Sequence, residues 1–169
     1  MITNKSKGFT IIELLVVVAI IAVLTGIVLV NVTSYITKGR DAAAQGNLAT
    51  MLTNGAVFYD GNSTFTGFST NASGTISNNL GGTCTGNAGF VGPCQALVGP
   101  VGTNNSGPNY AFTIDCSVSG VAGACSAAGI TAWCGQISLK GTGTPTFCVD
   151  STGNKKLGGV CAAATGICS

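Results

Sequence analysis

Among side chains that could act as nucleophile, base or metal ligand, this 169-residue sequence offers eight cysteines, five carboxylates and no histidine. The carboxylates are Glu13, Asp41, Asp60, Asp115 and Asp150, well separated along the chain. Without imidazole, the commonest general base and metal ligand is missing, which argues against hydrolase or transferase chemistry and for a chain that is not an enzyme. The cysteines are Cys84, Cys94, Cys116, Cys125, Cys134, Cys148, Cys161 and Cys168. They form no CxxC, their spacing is irregular, and a zinc site would need four thiolates gathered from scattered positions. An even number confined to one part of the chain reads instead as a disulfide framework, so no metal and no cofactor are expected. Eight cysteines allow roughly a hundred connectivities. The candidate pairs are Cys84–Cys94, which closes a loop, Cys116–Cys125, Cys134–Cys148 and Cys161–Cys168.

The elements that must carry these groups divide sharply. Charged residues are only 7% of the chain, against roughly 25% in an ordinary soluble domain, and the apolar residues are concentrated at one end. From Phe9 to Val30 the sequence reads FTIIELLVVVAIIAVLTGIVLV, with Glu13 as its one charge. At 1.5 Å per residue this run makes about 33 Å of helix, enough to cross a hydrocarbon core of about 30 Å. Lys5 and Lys7 precede it, which orients the chain with its N-terminus in the cytoplasm and its bulk exported. A cleaved secretory peptide would have a shorter apolar core, of about 7–15 residues, and no buried acid such as Glu13.

Helical spacing continues from Asn31 to about Tyr59, with apolar or small residues at Val32, Tyr35, Ile36, Ala42, Ala43, Leu48, Met51, Leu52 and Phe58. Gly39, Gly46 and Gly55 interrupt it at a cost of up to ~1 kcal/mol each and leave room for a neighbouring backbone. Asp60-Gly61-Asn62-Ser63 supplies turn chemistry at its end. Of the 26 glycines, 21 follow residue 60, as do all four prolines, a composition that suits short strands and long loops. The clearest strands are Asn109–Cys116, Thr131–Lys140 and Thr144–Asp150, with Phe112, Ile114, Trp133, Ile137, Leu139, Phe147 and Val149 facing inward. Gly141-Thr142-Gly143 is a hairpin signal, and a turn centred on Gly141 sets Cys134 opposite Cys148. The expected architecture is α+β, one long helix over about 9–59 packed on a small antiparallel sheet with disulfide-bonded loops. Its parts are 1–8 leader, 9–30 membrane helix, 31–60 amphipathic continuation and 61–169 extracytoplasmic domain.

Lys7-Gly8-Phe9-Thr10-Ile11-Ile12-Glu13-Leu14 and the apolar run behind it resemble the signal of type IV pilins. More weakly, Phe147 to Gly153 is similar to a strand of some bacterial pilin-like proteins. The resemblance implies cleavage between Gly8 and Phe9 by a prepilin peptidase, followed by N-methylation of Phe9. It implies that Glu13 pairs with the terminal amine of Phe9 in a neighbouring subunit. It further implies residence as a single-pass, N-in protein of the inner membrane, and then assembly into an extracellular helical homopolymer by membrane machinery with a cytoplasmic ATPase. Val30 stands where many pilins carry a helix-breaking proline, so Gly26 to Asn31 is where the helix could stretch.

Three uses fit that resemblance. The first is a pilus subunit, major or minor. The second is a pseudopilin of a type II secretion system, although Asp150 as the sole carboxylate after Cys116 is a poor basis for a calcium loop. The third is a DNA-uptake or adhesion tip built on Lys140, Lys155, Lys156 and a stacking Trp133. So few cations give little phosphate affinity, and nucleic acid is not expected as a partner.

Overall fold

The computed structural model describes residues 8–70, 74–76, 84–98, 110–123, 125–141, 143 and 145–169. The chain divides into two units, Met1–Thr37 and Lys38–Ser169. A single helix, α1 (Ile11–Asn62), contributes to both and runs unbroken across Gly26 to Asn31. No proline interrupts its backbone ladder there, and the sequence-based expectation of a stretched segment finds no counterpart.

In the first unit the helix is apolar on every side, and Ile11 to Leu29 are exposed all round. A helix of this kind has no polar face to turn toward water and is stable only in lipid or against other apolar helices.

In the second unit α1 becomes amphipathic. Asp41, Ala44, Leu48, Met51, Leu52 and Gly55 are buried at the three- and four-residue spacing of one helical face. The helix runs past the expected stop at Tyr59. Its left-handed cap is Ser63, at φ 57°, and not Gly61. The Ser63 N–H donates to the Tyr59 carbonyl at 2.7 Å and Asn62 Nδ2 donates to the Phe58 carbonyl at 2.8 Å. Two otherwise orphaned carbonyls of the last turn are satisfied in this way.

The described strands are β1 (Gly74–Ile76), β2 (Phe112–Val118), β3 (Val121–Gly123), β4 (Ala132–Ser138), β5 (Thr146–Asp150), β6 (Lys155–Leu157), β7 (Cys161–Ala162) and β8 (Ile167–Cys168). The main sheet has the order β1-β2-β4-β5-β6, every pair antiparallel, with β3 also on β2; β7 and β8 form a separate small hairpin. Phe112, Ile114, Cys116, Trp133, Ile137 and Val149 alternate onto one face and are buried in the same core as Leu48 and Met51 of α1. Leu139 is buried with them and Phe147 is partly buried against them, so the expected inner face is the observed one. The opposite face carries Thr113, Asp115, Cys134, Gln136, Cys148 and Asp150.

The β4–β5 register differs from the expected one. Cys134 lies opposite Asp150, and Cys148 opposite Gln136. The connection is not a tight turn on Gly141. It leaves the sheet after a Leu139 N–H to Pro145 carbonyl bond of 3.0 Å, and its Lys140 and Gly141 amides point at Asp41.

A second helix, α2 (Ala88–Val98), occupies a region whose glycines and proline read as loop. Phe90, Cys94, Leu97 and Val98 are its buried residues. Asn87 opens it, its Oδ1 accepting the Gly89 N–H at 2.9 Å. Pro93 lies inside the helix and has no N–H to offer the Gly89 carbonyl four residues back. Asn54 of α1 supplies the missing donor, with Nδ2 at 2.9 Å from that oxygen.

Helix α1 approaches the sheet closely at Gly55, where a Cβ would stand 2.9 Å from Trp133 Cζ2. Gly46, by contrast, is exposed, with nothing within 4 Å of such a Cβ. Gly55→Ala should therefore lower stability by about 1–2 kcal/mol, overpacking outweighing its helix propensity. Gly46→Ala should raise stability by up to ~1 kcal/mol. Thermal melts of the full chain in detergent micelles read both signs, and a stabilising Gly55→Ala contradicts the close approach.

Candidate functional site

The residues singled out for processing and assembly lie at the start of α1. Gly8, Phe9 and Thr10 precede the first helical turn, and Phe9 is 81% exposed. Thr10 is the N-cap and Glu13 the third residue of the helix. The Glu13 N–H donates to Thr10 Oγ1 at 3.3 Å, and Glu13 Oε2 accepts from the Thr10 N–H and hydroxyl, both at 2.8 Å. This is a reciprocal capping box. A carboxylate within an apolar segment is costly unless its lone pairs are answered, and here one oxygen is answered by its own helix end. Thr-x-x-Glu ahead of an apolar run carried that signal in the sequence, where Glu13 was read only as a partner for a distant amine.

Asp60 is exposed near the end of α1, whereas Asp41, Asp150 and Asp115 are withdrawn from water to different degrees. Asp41, 7% exposed, accepts the Tyr110 hydroxyl at 2.5 Å and the amides of Lys140 and Gly141 at 3.0 and 2.9 Å. Desolvation pushes its pKa up, but these bonds and the Lys140 charge hold it below the usual carboxylate value. Burial and the bond to Asp41 raise the Tyr110 hydroxyl well above its ordinary range, and Lys140 Nζ lies 5.2 Å from the centre of its ring.

Asp150 is fully buried and accepts five hydrogen bonds. Thr152 gives its N–H and hydroxyl at 3.0 and 2.6 Å, Asn154 its N–H and Nδ2 at 3.2 and 3.0 Å, and Cys168 its N–H at 2.9 Å. Desolvation again opposes the charge, and the donors again prevail, so the pKa lies below its usual value. Asp115 shows what burial does without such donors. It has no hydrogen-bond partner among the described residues, and desolvation raises its pKa.

Asp115 lies with Cys134 and Cys161 in a group whose ligand atoms are all within 4.8 Å of one another. Both sulfurs belong to one bridge, so the group presents a carboxylate beside a disulfide and not a set of thiolates. The cysteines are joined as Cys84–Cys94, Cys116–Cys125, Cys134–Cys161 and Cys148–Cys168. The expected Cys134–Cys148 and Cys161–Cys168 pairs do not form. The β4–β5 register sets Cys134 and Cys148 two residues out of step, and the β7–β8 hairpin brings Cys161 and Cys168 against the outer face of the sheet. Trp133, considered as a stacking group for nucleic acid, is 1% exposed and packs edge-on to Phe65 in the core. Lys155 and Lys156 are exposed on β6, where consecutive residues point to opposite faces of the sheet.

In comparison with known proteins, the family model described as the prokaryotic N-terminal methylation motif, the type IV pilin and prepilin signal, matches residues 3–29. No curated protein and no solved structure matches the chain.

Two outcomes follow from the geometry. Thr10→Ala removes the cap and should cost about 1 kcal/mol locally, read as faster amide exchange at Ile11 to Glu13 in micelles while Leu48 and Met51 are unchanged. The pKa values of Asp41 and Asp150 are lowered on folding, so the unfolded chain binds their protons more readily. Their stabilisation is complete above the usual value of 3.8 and is lost as pH falls through the lowered folded values. Asp150→Asn should cost roughly 1.5–3 kcal/mol at neutral pH and flatten the acid limb of stability against pH. An unchanged acid limb would show that Asp150 is not the titrating group.

Proposed function

We propose that this chain is a non-enzymatic structural subunit of a type IV pilus. The observation that carries the reading is the methylation motif over residues 3–29 together with an exposed, apolar α1 segment holding one carboxylate. Prepilin peptidase cleaves between Gly8 and Phe9, and the new amine is methylated. Removing Lys5 and Lys7 leaves five basic against five acidic side chains, a formal balance of zero to which the new Phe9 amine adds one positive charge. Before assembly the helix spans the inner membrane with the N-terminus inside, and Lys38–Ser169 lies outside.

Assembly machinery with a cytoplasmic ATPase then transfers each subunit into a helical homopolymer. Lipid already solvates the apolar residues, so the transfer gains little from the hydrophobic effect and more from close packing and from pairing charge. Glu13 serves two purposes in turn. Oε2 is committed to Thr10, which caps α1 in each subunit, and Oε1 faces the Phe9 amine of a neighbour. A contact that repeats head to tail without closing produces an open fibre. Four disulfides within Lys38–Ser169 limit unfolding of a domain that lies outside the cell.

Intact mass and N-terminal sequencing of this protein from sheared extracellular filaments test the reading. The expected chain begins at methylated Phe9, has lost eight of its 169 residues, and is eight hydrogens light for four bridges. A processed chain confined to the envelope would favour the pseudopilin reading. An intact Met1 in filaments would overturn the cleavage site and the amine partner of Glu13.

A further inference from the structure

The outer face of the main sheet holds four cysteine sulfurs in two layers. Cys134 on β4 and Cys148 on β5 belong to the sheet and are fully buried. Cys161 and Cys168 face each other across the β7–β8 hairpin, are half-buried, and form the covering layer. Both bridges, Cys134–Cys161 and Cys148–Cys168, cross from one layer to the other. The bridges also touch: Cys148 Sγ lies 3.9 Å from Cys161 Sγ, a sulfur of the other bridge.

We propose that these four cysteines form an exchange cluster, in which one external thiolate re-pairs the two bridges with no net oxidation or reduction. The co-reactant is a small thiol of the glutathione class. Its thiolate attacks Cys168 Sγ, on the more accessible side of the bridge; the Cys148–Cys168 bond breaks and Cys148 leaves as a thiolate. Cys148 is then the sulfur beside Cys161. It attacks Cys161 Sγ, forming Cys148–Cys161 and expelling Cys134 as a thiolate. Cys134 attacks the mixed disulfide at Cys168 Sγ, forming Cys134–Cys168 and returning the small thiolate. Every sulfur bond broken is replaced by one formed, as thiol–disulfide exchange requires.

Asp115 biases the middle step. Its carboxylate lies within 4.8 Å of Cys134 and Cys161 Sγ, and a negative charge there disfavours a thiolate on Cys134. The exchanged form therefore resolves onward instead of resting with an open Cys134. The consequence is that residues 158–169 are held by a covalent clasp whose partners can change while both layers stay joined. Cys84–Cys94 and Cys116–Cys125 lie outside the cluster and take no part.

The test uses the full chain in detergent micelles with Cys168→Ser, which leaves Cys148 without its partner. After equilibration near pH 8, acid quenching and alkylation, peptide mapping locates the free thiol. The expected result is a thiol divided between Cys148 and Cys134, with Cys148–Cys161 detected, and a larger Cys134 share when Asp115→Asn is added. A thiol found on Cys148 alone, with Cys134–Cys161 intact, overturns the proposal. If Cys168→Ser loses Cys84–Cys94 or Cys116–Cys125 and so fails to fold, the wild-type chain with glutathione decides. There Cys148–Cys161 accompanying a glutathione adduct on Cys168 supports exchange, and the adduct without that pair overturns it.

Discussion

A carboxylate withdrawn from water must be met by donors, and Asp150 meets that demand with five hydrogen bonds drawn from its own turn and from Cys168. None of those donors is a cation, so the charge is held by oriented N–H and O–H dipoles. Each bond to an ionised acceptor contributes more than a neutral one, and the set cannot be dismantled one at a time without leaving a buried charge short of partners. That is why the β5–β6 turn and the β7–β8 hairpin share a single anchor. Gln136 repeats the device on β4, its side-chain oxygen accepting the Cys161 N–H at 2.6 Å. The two bridges then make covalent what these polar contacts already position.

Asp41 applies the same physics on the other side of the sheet. It lies on α1 and gathers Tyr110 and the Lys140–Gly141 backbone onto the helix. Three segments distant in sequence therefore converge on one side chain. The apolar part of the first unit has its carboxylate contact at the helix end, in the Thr10–Glu13 cap, because an apolar helix has no interior of its own. The two units thus solve different solvation problems with one continuous element. One removes polar groups from water and supplies partners, and the other presents apolar surface to a medium that is not water.

What was legible in the sequence is what depends on neighbours along the chain. The apolar run, the helical period through α1 and the alternation in β2, β4 and β5 are local patterns, and the inner-face residues followed from them. The N-terminal motif was readable for the same reason. The β4–β5 register was not, because a carboxylate roughly a hundred residues away holds the connecting amides and displaces the turn from Gly141. With the register moved, Cys134 and Cys148 lost each other, and their partners came from a hairpin whose docking no spacing rule encodes. The Thr10–Glu13 cap was legible and passed over, its glutamate already assigned to another role. Helix α2 was hidden by Gly89, Gly92 and Pro93, each of which locally argues for a loop.

The bond from Asn54 to the Gly89 carbonyl has a bearing on what keeps α2 helical. A short helix with proline inside it lacks one rung of its own ladder, so its nucleation penalty is not recovered within the segment. The rung is lent by α1, an element outside the segment. Helix α2 is thus a dependent element, whose ladder is complete only with a donor that tertiary structure supplies. The Cys84–Cys94 bridge, whose second cysteine sits on α2, therefore ties residue 84 to a helix whose ladder is completed from outside.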